Sequence, residues 1–419
     1  MQRRHALLPL FFLAFAATAS AESLRLSIES TLDISTLSLA SIGDLAFQAN
    51  GARLWVVDGA APGLVFEVDR TTGALLTQFG SNAIPGLNFG PEAMAIDTTT
   101  PLARISLFSM INQSEAGLVT ETGTFIAEYP GANNATGADY DTAGNLWIVS
   151  YDGVSSSLHR LNPNTGVVLA TVPIVGSTSS MTDLAFDPHS GAGYVLERDR
   201  NFLLEIDTTT GTINSTTDIS QFVTALNSVN GGFDFDARGD RLYLATGGAT
   251  ASDTIVVLHR DYALPMCDGT HPLFPCPCGN IGLPDQGCAN SQNPNGARLV
   301  SMNAPFVSSD NTVLQAQGVP ATTSVLFFQG TATTVPNHLV SGDGLICTGG
   351  TIIRIATRAA SGGIATYPQN SHELDLSVRG AIPAAGGTRY YQGWYRNAAN
   401  FCTPATYNYT NAIRLIWAP

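Results

Sequence analysis

The sequence predicts an all-β protein: a five-bladed β-propeller followed by a disulfide-stabilised β-sandwich. Three observations carry this expectation. Four strand-like runs end in a polar turn closing on Thr-Gly, at Thr72-Gly73, Thr122-Gly123, Thr165-Gly166 and Thr210-Gly211. The closing glycines lie 50, 43 and 45 residues apart, the length of one four-stranded blade. All six cysteines fall after the last repeat, between Cys267 and Cys402.

The chain begins with Arg3-Arg4, an apolar run from Ala6 to Ala17, and Ala19-Ser20-Ala21. Charged, apolar and small-residue segments in that order form a secretory signal peptide cut before Glu22. His5-Ala6 departs from the pattern that would follow a twin-arginine signal. The apolar run is too short to span a bilayer, and no later one is longer, so no transmembrane segment is expected. The expected organisation is a signal peptide at 1–21, a propeller at 22–263, a Cys/Pro/Gly-rich linker at 264–296 and a sandwich at 297–419. The expected location is outside the cell or on its surface.

Each repeat starts with a short alternating run, the inner strand of a blade. The five are Asp44–Gln48, Ala93–Asp97, Gly137–Asp141, Asp183–Asp187 and Gly232–Asp236. A period of two sends large side chains between blades and leaves small or acidic ones facing the axis. Second strands follow at Leu54–Val57, Leu146–Val149, Gly193–Leu196 and Leu242–Ala245, with Pro101–Ser109 as an irregular stand-in for the second repeat. Fourth strands follow the Thr-Gly turns at Ala74–Phe79, Thr124–Tyr129, Val167–Ile174 and Ile213–Ile219. The fifth repeat stops after a third strand at Asp253–Arg260, which would leave an open edge. The alternating run Leu24–Ile28 has no blade of its own and is expected to close the ring there. Six blades is the alternative count.

At Val68-Asp69 to Thr72-Gly73 and its copies the chain resembles the secreted YVTN/YncE-like and NHL-like propeller families, on repeat rhythm over residues 24–263. That resemblance implies the fold; such families include scaffolds, surface proteins and some enzymes. Beyond Pro265, short strands are expected at Ala297–Ser301, Thr312–Gln317, Ser324–Phe328, Thr351–Thr357, Glu373–Arg379, Arg389–Arg396 and Ala412–Trp417. Cys276-Pro277-Cys278-Gly279-Asn280, Gly287-Cys288-Ala289-Asn290-Ser291 and Tyr390–Arg396 with Phe401-Cys402 resemble a recurrent C-terminal module of large secreted bacterial proteins.

Six cysteines in an exported chain read as disulfides, with Cys347 and Cys402 expected to pair because both stand away from Cys267, Cys276, Cys278 and Cys288, whose pairing is open. A zinc site on Cys267, His271, Cys276, Cys278 and Cys288 is the rival, at a spacing no standard zinc pattern uses.

Charge is divided unevenly. Residues 22–263 carry 27 acids against 10 arginines, whereas residues 264–419 carry 6 acids against 7 arginines. An acidic propeller repels nucleic acid and attracts cations. The chain has no lysine, since all 19 basic residues are Arg, which excludes Schiff-base chemistry and a phosphate-loop lysine. It also lacks Gly-x-Ser-x-Gly and His-Glu-x-x-His.

Chemistry is expected where inner strands begin. Asp44, Glu92 and Asp183 stand at that mouth, with Asp139 and Asp234 deeper in the channel, and Asp58, Asp152 and Asp199 on nearby loops as ligand-binding candidates. Converging carboxylates suit Ca²⁺, or else bind backbone and water in a purely structural role. They resemble the carboxylates of metal-dependent lactonases of the regucalcin and gluconolactonase type, which implies a hydrolase alternative. Asp97, Asp141, Asp187 and Asp236 open tight turns, and turn chemistry accounts for them. Arg238-Gly239-Asp240 is read as a turn rather than an adhesion motif. On Tyr390, Tyr391, Trp394 and Tyr395, one pair should pack the sandwich core, and an exposed Trp394 would offer a stacking surface to sugar. The leading expectation is a binding protein for an extracellular protein or glycan, without catalysis.

Overall fold

The computed structural model describes residues 23–419 except 49–52, 61–62, 85–89, 98–102, 110–115, 131–133, 178, 224–231, 249–250, 268–269, 271–274, 335–338 and 399–400. The expected signal peptide at 1–21 and His271 lie outside the described residues.

Five four-stranded antiparallel sheets form the blades. Their inner strands are Ile42–Phe47, Ala93–Asp97, Ala135–Tyr140, Met181–Phe186 and Phe233–Phe235. The first four blades are consecutive meanders; the fifth is composite, with Leu26–Asp33 as its outer strand beside Ala251–Arg260. That pairing runs from Leu26 opposite Arg260 to Asp33 opposite Thr254, so the N-terminal run closes the ring over a longer span than its first alternating residues suggest. The second repeat is regular: Arg104–Phe108 is an ordinary second strand. Ser106 stands opposite Ala95 where Trp55 stands opposite Ala46 in the first blade. The Tyr129 and Tyr140 hydroxyls approach Ser106 Oγ at 3.3 and 3.5 Å, so neighbouring aromatics fill the space of the missing one.

Five buried apolar clusters hold the ring, each drawing on two adjacent blades. Trp55 and Val57 of the first blade meet Met94 and Ile105 of the second, for example, and Trp147 of the third meets Phe186 of the fourth. Burial of this kind contributes roughly 25 cal/mol per Å² of apolar surface and is the main force keeping the blades together.

The Thr-Gly turns have a common cause. Asp69 Oδ1 accepts the Thr71 and Thr72 N–H groups at 2.9 Å, and Asp207 Oδ1 accepts those of Thr209 and Thr210 at 2.7 and 3.0 Å. The chain then leaves through a glycine at positive φ, 73° at both Gly73 and Gly211. A Cβ at Gly211 would also lie 1.9 Å from the Pro173 carbonyl oxygen.

The C-terminal region is a sandwich. A five-stranded sheet (Leu264–Met266, Tyr407–Trp417, Gly387–Arg396, Ser324–Gly330, Ile353–Ala359) faces a three-stranded one (Arg298–Met302, Val313–Gln317, Ile364–Tyr367). Leu299, Leu314 and Ala365 from the smaller sheet pack on Phe327, Tyr391, Tyr395 and Ile413 from the larger. One expected strand is corrected. Glu373–Arg379 holds a single helical turn, Leu376–Arg379, because Asp310 Oδ2 accepts the Ser377 N–H at 2.6 Å and the Asp375 carbonyl accepts that of Arg379.

The disulfide expectation is corrected too. Cys347 pairs with Cys267 and Cys402 with Cys278, leaving Cys276 with Cys288. Strand pairing of Leu264–Met266 with Ala412–Arg414 carries Cys267 into a small core with Leu345 and Cys347. Cys402 lies in the long hairpin loop between Arg396 and Tyr407. Because all six sulfurs are joined in pairs, the cysteine zinc site is overturned as well.

Candidate functional site

Four aspartates sit on the propeller axis in two layers, fixed by strand register. Asp44 and Asp183 stand opposite Val57 and Leu196; Asp139 and Asp234 stand one step further along, opposite Trp147 and Tyr243. Each carboxylate bridges two blades. Asp44 accepts the Leu45 N–H at 2.6 Å and the Met94 N–H of the next blade at 2.7 Å. Asp139 accepts Tyr140 N–H and Phe186 N–H, both at 2.7 Å. Asp183 accepts Leu184 N–H at 2.7 Å and Phe233 N–H at 2.5 Å. Asp234 accepts Phe235 N–H at 2.7 Å and, across the ring closure, Phe47 N–H at 2.6 Å. Where one strand carries Asp, the next carries a residue small enough to receive it. A Cβ on Gly232 would lie 2.0 Å from Asp44 Oδ1 and 2.8 Å from Asp183 Oδ2.

Burial governs their protonation. It raises the Asp139 carboxyl to about 7 and pushes Asp44, Asp183 and Asp234 well above the ordinary carboxylate range. The neighbouring carboxylates add to the rise, and the accepted N–H bonds oppose it.

The other sequence candidates scatter. Glu92 is half-buried just ahead of its strand. Asp58 is buried and accepts the N–H groups of Ala40, Ser41 and Ala60 at 3.0 to 3.3 Å. Asp152 is exposed and holds its own loop through the Val154 and Ser155 N–H groups, both at 2.8 Å, which lower its carboxyl. Asp199 is exposed in the short turn Arg198–Arg200. Among the described residues, no group of three or more His, Cys, Asp or Glu side chains is disposed to hold a metal ion. The loops of the expected mouth at 85–89, 110–115, 131–133 and 224–231 lie outside the described residues.

A cavity of about 280 Å³ opens at the other end of the channel, where the inner strands finish. Asp139 and Asp234 reach its floor, and Asp97, Asp141 and Asp236 stand around it with Phe47, Tyr140, Phe186, Pro188 and Ala237. Among the described residues, no Arg or His lines it. Asp141 and Asp236 cap their turns: Asp141 accepts the Ala143 and Asn145 N–H groups and the Trp147 indole N–H at 2.8 to 3.0 Å, and Asp236 accepts the Asp240 N–H at 2.9 Å, whereas the turn after Asp97 lies outside the described residues. Asp97 pairs with Arg104. Their recurrence at one turn position in successive repeats was the signal for this second carboxylate tier, and turn chemistry alone concealed it.

The Arg238-Gly239-Asp240 tripeptide docks the sandwich. Arg238 donates to the Ser309 carbonyl at 2.8 Å and to Asn311 Oδ1 at 2.7 Å; the Gly239 carbonyl accepts from the Tyr262 hydroxyl, and Asp240 accepts the Ala304 N–H. On the aromatic strand, Tyr391 and Tyr395 pack the core, while half-buried Trp394 lies 5.6 Å from the Tyr407 ring with the Arg396 guanidinium 5.0 Å above it.

Fold and site together define a β-propeller protein with a disulfide-bonded β-sandwich appended. No family model matches the chain, and no curated protein matches it either. Among solved structures it is similar to glutaminyl cyclase of Myxococcus xanthus, at 18% identity and a TM-score of 0.43 over 57% of this chain and 99% of that one. It is also similar to the Dos1 propeller (12%, TM-score 0.32, 51% of this chain and 59% of that one). Hydrazine synthase of Kuenenia stuttgartiensis shows 10% identity and a TM-score of 0.34 over 66% of this chain and 76% of that one. Likenesses this distant carry no argument about activity.

Proposed function

We propose that this is an exported binding protein whose propeller receives a small organic cation, or a cationic side chain of a partner, in the axial cavity. Residues 22–263 form the receptor and 264–419 the attached module. The observation that carries the reading is the chemistry of the cavity wall: five aspartates, several aromatic and aliphatic faces and, among the described residues, no basic lining residue. Export is supported by three disulfides and by the signal-like N-terminal sequence; among the described residues no helix is long and apolar enough to cross a membrane.

A cation on the cavity floor favours the ionised forms of Asp139 and Asp234, so binding displaces protons and tightens as pH rises towards and past about 7. Calorimetry with guanidinium, a quaternary ammonium and a polyamine, each in two buffers of different ionisation enthalpy, tests this directly. Binding accompanied by proton release, and lost in Asp139→Asn/Asp234→Asn, supports the reading. Absence of heat from every organic cation overturns it. A response to Ca²⁺ alone, abolished in Asp44→Asn/Asp183→Asn, would move the site to the upper carboxylate layer and revive the metal-dependent hydrolase alternative.

A further inference from the structure

We propose that His189 is a pH-sensitive pin between the propeller and the C-terminal sandwich, whose protonation releases the sandwich from the fourth blade. The argument is geometric and stands whatever the axial cavity binds.

His189 sits in the turn that follows the fourth inner strand, and its ring enters the junction. Two aromatic rings clasp it edge-on: Tyr262 at 4.7 Å, from the segment that leaves the last blade, and Phe306 at 4.9 Å, from the sandwich. Its Nε2 lies 3.2 Å from the Ile416 carbonyl oxygen, an acceptor on the final sandwich strand. That contact requires the proton on Nε2, so the neutral ring carries its lone pair on Nδ1. Nδ1 is buried and has no hydrogen-bond partner among the described residues. Docking as seen therefore needs the neutral ring, because a second N–H at Nδ1 would enter an aromatic clasp that, among the described residues, offers it no acceptor.

The charged groups around the ring come from three elements. On its own turn, Asp187 accepts the His189 backbone N–H at 2.9 Å, and its charge would favour an imidazolium. From the third strand of the fifth blade, Arg260 opposes it; this guanidinium lies 2.7 Å from Asp187 and 4.4 Å above the Tyr262 ring. On the adjoining turn, Arg238 covers the Phe306 ring at 5.8 Å and pairs with Asp240 at 3.4 Å. Asp187 and Asp240 thus already have arginine partners, and a protonated His189 would be a further cation with no carboxylate left to pair it. Burial, the largest cause, also holds the imidazole below its ordinary value.

The sign follows. A group whose value is depressed in the docked state stabilises docking above its free value and loses that contribution as pH falls. Release is expected on acidification through the ordinary imidazole range, and its first effect is on the segments that meet the ring, 187–191, 303–311 and 414–418.

Hydrogen exchange of the intact protein, read by mass spectrometry at about pH 7.5 and about pH 5 and normalised to the unfolded chain at each pH, tests the pin. In the wild type those segments should lose protection by about tenfold at the lower pH. His189→Phe keeps an aromatic ring and cannot titrate; His189→Gln keeps a donor for the Ile416 carbonyl and guards against misfolding of the first variant. Either folded variant should show no loss of normalised protection in those segments at the lower pH. No loss in the wild type, or an equal loss in both variants, overturns the proposal.

Discussion

Replacing Asp139 by Asn should reverse the order of stability between mild acid and mild alkali. The carboxyl is buried on the axis, and burial raises it to about 7 from an ordinary value near 3.8. The native protein therefore holds a proton there that the unfolded chain has released. A raised folded value means stability is fully present below the unfolded value and is lost as pH climbs through the folded one. A rise of about three units corresponds to a loss on the order of 4 kcal/mol, since each unit is about 1.4 kcal/mol. Asn removes the titration but can accept only one of the two N–H groups that Asp139 receives from Tyr140 and Phe186. That deficit costs about 1–3 kcal/mol at every pH. Urea denaturation with disulfides intact, followed by tryptophan fluorescence, should thus find the variant weaker than wild type at about pH 4, where little of that loss has occurred, and equal or stronger at about pH 8.5. Asp44, Asp183 and Asp234 keep part of the wild-type slope in the variant, because they shift in the same direction. A wild type that gains stability from about pH 4 to about pH 8.5, or a variant with an undiminished slope, would refute the reasoning.

Three other outcomes are expected. Arg260→Met should cost about 3–5 kcal/mol in denaturation, because it strands the buried Asp187 carboxylate without its cation. Leu32→Asp puts a charge into the buried face of the ring-closing strand and should lower the propeller's melting temperature by roughly 6–12 °C, at roughly 3 kcal/mol and about 2–4 °C per kcal/mol for a domain of this size. Cys278→Ser/Cys402→Ser opens a loop spanning 124 residues and should destabilise the sandwich by about 4–5 kcal/mol, with peptide mapping of the wild type showing Cys267 joined to Cys347.

The blades were legible because their signals are local. An Asp or Asn followed by Thr and Gly states its turn within six residues, and alternation in Asp44–Gln48 or Asp183–Asp187 states which side faces the axis. The closing strand was legible through a deficit, a fifth repeat one strand short beside an unused alternating run. The second strand of the second blade looked irregular because Ser106 replaces the expected aromatic, and the compensating Tyr129 and Tyr140 come from elsewhere in the chain. Disulfide partners were hidden for a similar reason: Cys267 meets Cys347 only through the pairing of Leu264–Met266 with Ala412–Arg414. The site was half legible. Asp139 and Asp234 were placed on the axis, but the cavity above them depends on side-chain volumes at the far ends of several strands, which no single segment reports.

The composite fifth blade also fixes the order of assembly. Its outer strand is made first during synthesis and its other three last, so Leu26–Asp33 has no partner until the chain has been extended to Arg260. Four blades can stack before that moment, but the circle remains a crescent with two exposed sides. Closure is then a single late event that locks the earliest and the latest segments together. A chain cut and rejoined so that its new ends fall between two intact blades would carry both halves of the fifth blade in one stretch, turning the most distant pairing in the propeller into a local hairpin.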